Sequence, residues 1–239
     1  MNQEALESSS LLSNEVPTSL LPVVDWGEID YQESSCRQLE WVQKIYEKNE
    51  RGVLIYCTHP PLVTTGRSVR PGDVFGWNGP VVVSPRGGRA TYHGPSQIVI
   101  YPIVNLGCTE FQNLKNKDVT SYLRLLENSL IRVLTNLGIS ADRRCEKIIN
   151  ENGEELQATG VWVGDKKIAS IGIAVRRWVA YHGIALNLYQ DDEAFKGINP
   201  CGFSSSVMTS VEAVLGRRVD AKLIKEKFSE VFRLSLIHI

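Results

Sequence analysis

A cysteine in a short turn and a pair of lysines earlier in the chain are the residues best suited to covalent chemistry. Cys201 lies in the segment Asn199-Pro200-Cys201-Gly202, and the lysines are Lys166 and Lys167. A cysteine attacks as its thiolate, and a nearby ammonium group lowers the pKa of the thiol. The proline fixes its own φ, and the glycine permits a close approach of the backbone to a ligand. This combination predicts covalent acyl transfer, provided that Lys167 and Cys201 meet in the fold.

The position of the lysine pair predicts that the two side chains lie on opposite faces of a strand. Gly164-Asp165 is a hairpin-turn dipeptide, so Lys166 and Lys167 should begin the returning strand. Successive side chains of a strand point to opposite faces. One lysine should therefore face solvent and the other a packed or ligand-bearing side, where it could transfer protons. A solvated lysine pair beside a turn is the alternative interpretation.

Two more segments combine glycine, arginine and histidine. Residues 86–95 contain two adjacent glycines with Arg86 and Arg89 on either side, followed by His93, and His182 interrupts the apolar stretch 181–188. Adjacent glycines let a backbone approach a bound group, and the arginines could meet an anion. Taken alone, an Arg-Gly-Gly segment is more often a tight turn than part of a site, and His93 is more often a hydrogen-bonded core residue than a catalyst. Neither a phosphate-loop pattern nor a G-x-G-x-x-G pattern is present, so nucleotide binding is not indicated.

Composition limits the class of protein. With 239 residues, 43% of them hydrophobic, the chain can bury a full core. A net charge of −1 gives no indication of nucleic-acid binding, and no apolar run approaches the roughly 20 residues of a membrane span. The five cysteines are odd in number and lack close spacing, which argues against disulfides and a zinc site and favours the reducing cytoplasm. We expect a flexible tail over residues 1–19 and a single catalytic domain over 20–239.

The pattern of apolar residues predicts a mixed α/β (α+β) fold, with largely antiparallel sheets and helices packed against them. Ser34 and Ser35 are candidate caps for the first helix, and Ser210 and Asp220 for the last two. Helices are predicted at 34–51 and 118–137, a long loop at 58–78, and strands at 53–56, 80–84, 97–104, 156–163, 166–175 and 178–188.

Considered together, these segments resemble the lipoyl(octanoyl) transferase family, also called lipoate-protein ligase B. The motifs that carry the resemblance are R-G-G-x-x-T-Y-H-G-P at 86–95, G-V-W-V at 160–163, K-K-I-A-x-I-G at 166–172, H-G-x-A-L-N at 182–187 and I-N-P-C-G at 198–202. The segments 59–61 and 65–67 are similar to the family's first loop. The resemblance covers about residues 50 to 215 and departs at Ser96, where the family usually has glycine.

The resemblance implies a biotin/lipoate protein ligase-like fold and transfer of an octanoyl group. The donor would be octanoyl acyl carrier protein, and the acceptors would be lysines on lipoyl domains of 2-oxoacid dehydrogenases and on the glycine cleavage H protein. Cys201 would be the nucleophile and Lys167 its acid/base partner. No ATP, metal or other cofactor is implied, because octanoyl-phosphopantetheine is already an activated thioester. The acidic carrier would need a basic face, for which the doublets at 143–144, 176–177 and 217–218 are candidates.

The same resemblance assigns residues to substrate binding. They are Arg86, Gly87, Gly88, Thr91, Tyr92, His93, Gly94, Ala169, Ser170, Ile171, Gly172, His182, Gly183, Ala185 and Gly202. The Gly202 amide is the candidate donor to the oxyanion that forms during acyl transfer.

Three other functions fit parts of the pattern. An ATP-dependent lipoate or biotin ligase on the same fold would form an acyl-adenylate and need no nucleophilic cysteine. An acyl thioesterase could use the same cysteine and lysine with water as acceptor. A carrier-protein binding module without enzymatic activity would leave Cys201 unreactive.

Overall fold

The computed structural model describes residues 21–144, 147–149, 153, 155–157 and 159–237. The predicted tail over residues 1–19 and Cys145, one of the five cysteines, lie outside this part of the chain. None of the described helices is both long enough and apolar enough to cross a membrane.

Twelve strands and four α-helices make up the described fold. The strands are β1 (Val23–Glu28), β2 (Gly52–Thr58), β3 (Leu62–Thr65), β4 (Val81–Val83), β5 (Ala90–His93), β6 (Gln97–Asn105), β7 (Asp142–Arg143), β8 (Lys147–Ile149), β9 (Glu155–Gln157), β10 (Gly160–Val163), β11 (Lys166–Arg176) and β12 (Val179–Asn187). The helices are α1 (Tyr31–Lys48), α2 (Val119–Asn136), α3 (Val211–Leu215) and α4 (Ala221–Ile237).

A seven-stranded sheet in the order β1-β2-β6-β12-β11-β10-β7 forms the centre of the molecule. Only β1 and β2 run parallel within it, and its other neighbours are antiparallel. A second sheet, β4-β3-β5, is smaller, and β8 pairs with β9. The predicted mixed and largely antiparallel architecture is confirmed.

Helices cover both faces of the large sheet, which explains why its central strands read as nearly continuous apolar runs. Every residue from Gly52 to Cys57 in β2 is buried. Leu54 and Tyr56 pack into the core that contains α2 and α4, whereas Val53 and Ile55 pack with the buried residues of α1. The sheet therefore lies between two apolar layers, one on each of its faces.

Helix α1 begins earlier than the sequence predicted. The Asp30 carboxylate accepts hydrogen bonds from the backbone amides of Gln32 and Glu33 at 2.8 and 3.0 Å, so Asp30 is the cap. The assignment of the cap to Ser34 and Ser35 is wrong because Ser34 lies inside the first turn, where its hydroxyl donates to a backbone carbonyl. The other predicted caps are confirmed: the side chains of Ser210 and Asp220 accept backbone amides at the starts of α3 and α4.

Strands β1, β3, β5, β7 and β8 were not expected, and the predicted strand at 156–163 is divided into β9 and β10. β3 lies inside the predicted loop at 58–78, and its four residues are too few for a recognisable alternation. β1 is an edge strand whose residues are largely exposed, so it lacks an apolar stripe. β3 matters for the site, since its Thr64 accepts hydrogen bonds from Arg86.

We expect Asp30→Ala to lower the free energy of unfolding by about 1 kcal/mol, because two amides of α1 lose their acceptor. Chemical denaturation measures the change. Asp30→Asn keeps an acceptor oxygen and should stay close to wild type, and Ser35→Ala tests the cap that the sequence suggested. A larger loss for Ser35→Ala than for Asp30→Ala would contradict this assignment.

Candidate active site

The turn that carries Cys201 is strained. Pro200–Gly202 forms one 3₁₀ turn in which Cys201 adopts φ 56° and ψ 20°, and Gly202 follows with φ 84°. A left-handed conformation costs a residue other than glycine about 1–2 kcal/mol. Strain of this kind persists only where the surrounding structure fixes it, and it is concentrated at functional sites.

Lys167 reaches the cysteine from β11. Its Nζ lies 3.4 Å from Cys201 Sγ, and its side chain is almost completely buried, with 1% of the residue exposed. Lys166 is exposed, and its Nζ donates to the Ser206 carbonyl at 2.5 Å. The prediction that the two lysines face opposite sides is confirmed.

A β-bulge decides which lysine faces inward. The register of β10 and β11 pairs Gly160 with Ser170 and Val161 with Ala169, and then skips one residue to pair Trp162 with Lys167. Directly paired residues share a face of the sheet. The skipped residue therefore moves Lys167 onto the face of Ser170, whereas regular alternation would place it on the opposite face.

Glycine and two aromatic rings shape the space around Lys167. A Cβ atom built on Gly160, whose φ is 132°, would lie 2.7 Å from Lys167 Cε and 2.4 Å from the Ala169 carbonyl oxygen. Lys167 Nζ lies 5.6 Å from the centre of the Trp162 ring and 5.9 Å from that of Phe203. Aromatic faces attract a cation at such distances. Cys201 Sγ is the one hydrogen-bond partner of Lys167 Nζ within the described residues.

The electrostatic environment favours the thiolate of Cys201. Burial raises the pKa of its thiol, but the charges of Lys167 and Arg86, with hydrogen bonds from Lys167 and Ser170, outweigh burial and lower the pKa overall. The Ser170 hydroxyl has no other partner among the described residues. A lowered pKa is what a nucleophilic cysteine requires.

Two cavities meet at Cys201. The inner one is narrow, about 40 Å³, and the outer one is wider, about 380 Å³. Gly88, Ile171, Gly172 and Cys201 line both. Cys201 thus lies where the two cavities meet and is accessible from both of them.

Most of the predicted substrate-binding residues line one of these cavities. Those on the inner cavity are Arg86, Gly88, Thr91, His93, Ser170, Ile171, Gly172, His182, Gly183 and Ala185. Gly87 lines the outer cavity.

Four predicted substrate-binding residues line neither cavity: Tyr92, Gly94, Ala169 and Gly202. Tyr92 alternates along β5 with Thr91 and His93, so it faces the other way, and its hydroxyl donates to Asp191. Ala169 packs in the large core. The Gly202 amide donates to the Asn199 carbonyl at 2.9 Å, so its hydrogen bond is used within the turn rather than being available to an oxyanion.

Arg86 brings a buried positive charge to the site. Its Nη2 donates to the Thr64 carbonyl at 2.8 Å and to the Thr64 hydroxyl at 2.7 Å, and its Nη1 donates to the Gly87 carbonyl at 3.1 Å. Burial lowers the pKa of this guanidinium. Its Nε has no partner among the described residues. The Nε–H of Arg86 is therefore available to a ligand.

The histidines of the inner cavity are uncharged at neutral pH. Burial is the main cause that lowers the pKa of His93 well below its usual value, and burial with the Arg86 charge lowers that of His182 to about 3. His93 Nε2 lies 3.1 Å from the Thr64 hydroxyl, whereas both ring nitrogens of His182 lack a partner among the described residues. Neither histidine can deliver a proton as an imidazolium at pH 7.

Several residues of the site could not be predicted from the sequence. Tyr31 and Tyr101 line the inner cavity, and the Tyr101 hydroxyl bonds to His59 Nε2 at 2.8 Å. Tyr31 lies on α1 and Tyr101 lies on β6, shortly after the motif at 86–95, and neither residue belongs to a recognised motif. Ser96, the one departure from the family pattern, donates to Asp191 at 2.9 Å, which is the carboxylate that also accepts from Tyr92.

Comparison with known proteins identifies the family. The family described as "Lipoyl protein ligase A/B catalytic domain" matches residues 30–233. The octanoyltransferase of Bdellovibrio bacteriovorus is 48% identical over 204 residues, which is 85% of this chain and 93% of that protein. The chain therefore belongs to the lipoyl protein ligase A/B catalytic-domain family, and within it to the lipoyl(octanoyl) transferases.

Solved structures agree on the fold. A crystal structure of lipoate-protein ligase A bound with ATP aligns with a TM-score of 0.66 at 17% identity, covering 90% of this chain and 84% of that one. The biotin protein ligase of Aquifex aeolicus without ligand gives 0.51 at 13% identity, covering 90% and 69%. The predicted biotin/lipoate ligase-like fold is confirmed.

We expect Gly160→Ala to lower the free energy of unfolding by about 2–4 kcal/mol, because its methyl group has no space and its φ is unfavourable. The displaced Lys167 should also slow alkylation of Cys201 by iodoacetamide at neutral pH, measured on the Cys201 peptide by mass spectrometry.

Gly164→Ala is the matched control. Gly164 also has a positive φ, 54°, but a Cβ there would meet nothing within 4 Å. It should cost about 1 kcal/mol and leave the alkylation rate unchanged. Alkylation of the Gly160→Ala protein at the wild-type rate would show that Gly160 does not position Lys167.

Proposed function

We propose that this protein is an octanoyltransferase that carries the acyl group on Cys201 as a thioester. The observation that carries the proposal is the 3.4 Å contact between Lys167 Nζ and Cys201 Sγ at the junction of two cavities. Relatives named octanoyltransferase support the acyl group and the reaction class. The donor is octanoyl acyl carrier protein, and the acceptor is a lysine of a lipoyl domain.

In the first step, the Cys201 thiolate attacks the carbonyl carbon of the donor thioester. The bond between the carbonyl carbon and Cys201 Sγ forms first, and the carbon–sulfur bond to the carrier breaks when the tetrahedral intermediate collapses. Lys167, placed 3.4 Å from the sulfur, gives its proton to the departing thiolate of the carrier. One thioester replaces another, so the step needs little free energy.

In the second step, the acceptor lysine attacks the acyl-enzyme as a neutral amine. Lys167, now neutral, takes a proton from the attacking nitrogen as the carbon–sulfur bond breaks. The products are an amide and the restored pair of Cys201 thiolate and Lys167 ammonium. Lys167 thus acts as acid in the first step and as base in the second, which general acid–base catalysis from one positioned group allows.

The oxyanion of each tetrahedral intermediate requires donors other than Gly202. Arg86 Nε has no partner among the described residues, and the Ser170 hydroxyl has none there besides Cys201; both residues line the inner cavity with Cys201. A buried donor aimed at developing charge is worth several kcal/mol of barrier. We assign these two groups as the oxyanion donors.

The inner cavity is the proposed site of the acyl chain. Val99, Ile171 and Ile184 give it apolar walls. Its volume of about 40 Å³ holds only a few water-sized groups, so an eight-carbon chain enters as these side chains move apart. Burial of each methylene returns about 0.8 kcal/mol, which offsets the cost of that movement.

The proposed reaction draws its free energy from the donor thioester, so it uses neither ATP nor a metal. It requires a reduced Cys201, which fits a cytoplasmic location. The acceptors we propose are lipoyl domains of 2-oxoacid dehydrogenases and the glycine cleavage H protein. An ATP-dependent ligase is disfavoured as an alternative, since that chemistry gives no role to the contact between Lys167 and Cys201.

Incubation with octanoyl acyl carrier protein should add one octanoyl group to the protein, and peptide mapping should place it on Cys201. Cys201→Ser should fold normally and fail to transfer the group to a lipoyl domain. An unmodified wild-type protein, or an adduct on another residue, would contradict the proposal. Release of free octanoate without transfer would identify a thioesterase instead.

The two lysines provide a matched comparison of acylation rates. Lys167→Ala should slow formation of the acyl-enzyme by roughly 10²–10⁴-fold, because the departing thiolate loses its proton donor. Lys166→Ala removes an exposed neighbour on the opposite face and should leave the rate close to wild type. Equal rates for the two variants would exclude Lys167 as the acid/base group.

A further inference from the structure

The two cavities at Cys201 differ in the same way as the two ends of an acyl thioester donor. Val99, Ile171 and Ile184 form the apolar part of the inner cavity, which also contains the buried Arg86. Three further arginines, Arg67, Arg70 and Arg89, line the outer cavity together with apolar residues. A donor attached to a phosphopantetheine arm has an apolar chain on one side of its carbonyl carbon. On the other side it has an amide-containing arm that ends in a phosphodiester. If the chain occupies the inner cavity, the arm must leave through the outer one.

Arg67 is held in place by its backbone. The amide of Arg67 donates to the Arg86 carbonyl, and the amides of Gly66 and Ser68 donate to the carbonyls of Arg89 and Gly88, at 3.0–3.2 Å. This segment is thereby fixed against the turn that supplies Arg86 to the catalytic site. The guanidinium of Arg67 is exposed and makes no hydrogen bond or ion pair with the described residues.

The other charged side chains of the outer cavity have partners. Arg89 forms an ion pair with the buried Asp73, so it contributes little net charge. Arg70 and Glu155 also have interactions of their own, and Glu155 is the one carboxylate among the described residues that line this cavity. The positive charge that remains available for a ligand is concentrated at Arg67. Arginine is well suited to phosphate because its planar fork of donors matches the phosphate oxygens.

The arginine doublets, which were predicted as a docking face for the carrier protein, are less suitable than Arg67 for binding the phosphate of the donor arm. Arg144 pairs with Asp165 and Arg218 with Glu212, and none of the six doublet residues lines either cavity at Cys201. Their charges therefore lie outside the path that a donor arm must follow from the sulfur.

We propose that Arg67 binds the phosphate of the donor's phosphopantetheine arm in the outer cavity, while the acyl chain lies in the inner cavity. This proposal rests on the proposed function and adds the chemical feature by which the enzyme recognises its donor. The enzyme would then recognise its donor partly without contacts to the carrier protein, because the phosphate belongs to the phosphopantetheine arm.

The test compares acylation of Cys201 by octanoyl-pantetheine, which lacks the phosphate, and by octanoyl-4′-phosphopantetheine. Second-order rate constants come from intact mass spectra of the full chain. Wild type should prefer the phosphorylated donor by roughly tenfold, the equivalent of one charge-assisted hydrogen bond. Arg67→Gln should bring the ratio of the two rate constants towards one. Arg217→Gln, an exposed arginine away from both cavities, should leave the ratio at its wild-type value.

Three results would overturn the inference while leaving the proposed function intact. They are a wild-type ratio near one, an Arg67→Gln protein that keeps the wild-type ratio, and an effect of Arg67→Gln that appears only with octanoyl acyl carrier protein. The last would mean that Arg67 meets acidic side chains of the carrier. Failure of every donor to acylate Cys201 would instead refute the proposed function, and the inference with it. Matching thermal unfolding of wild type and Arg67→Gln excludes a folding defect.

Discussion

The contact between the ammonium of Lys167 and the sulfur of Cys201 is the interaction on which the site depends. A buried lysine without a partner costs several kcal/mol, and Lys167 has one hydrogen-bond partner among the described residues. The surrounding structure is arranged to make this contact. Gly160 leaves space for the lysine stem, two aromatic rings face its charge, and a strained turn presents the sulfur.

The fold places this pair by combining separate parts of the chain. β11 carries Lys167 and Ser170, the turn after β12 carries Cys201, and the segment before β5 carries Arg86. Two positive charges thus converge on one thiol from different elements. Because burial weakens solvent screening, these charges act strongly on the pKa of Cys201. The rigid sheet fixes their separation, and the cavities on either side give the sulfur access to two kinds of group.

Much of this arrangement could be predicted from the sequence. The parts that could not be predicted each have a physical reason. Hairpin dipeptides and apolar alternation predicted the antiparallel strands, and the motifs predicted that Lys167 and Cys201 belong to one site. Alternation alone could not say which lysine faces inward, because a one-residue bulge reverses the faces of β11. The Gly202 amide was predicted to donate to the oxyanion, but it donates to the Asn199 carbonyl within its own turn. Tyr31 and Tyr101 reach the cavity only through long-range packing, which leaves no local signal.

The most direct test of the central claim is an ultraviolet titration of the Cys201 thiolate, taken as the difference between wild type and Cys201→Ser. The wild-type thiol should have a pKa below the value of about 8.5 that a free cysteine shows. Lys167→Met, which keeps the side chain's length but removes its charge, should raise that pKa. An ordinary pKa in wild type, or the same pKa in both proteins, would contradict the claim that Lys167 holds Cys201 as a thiolate.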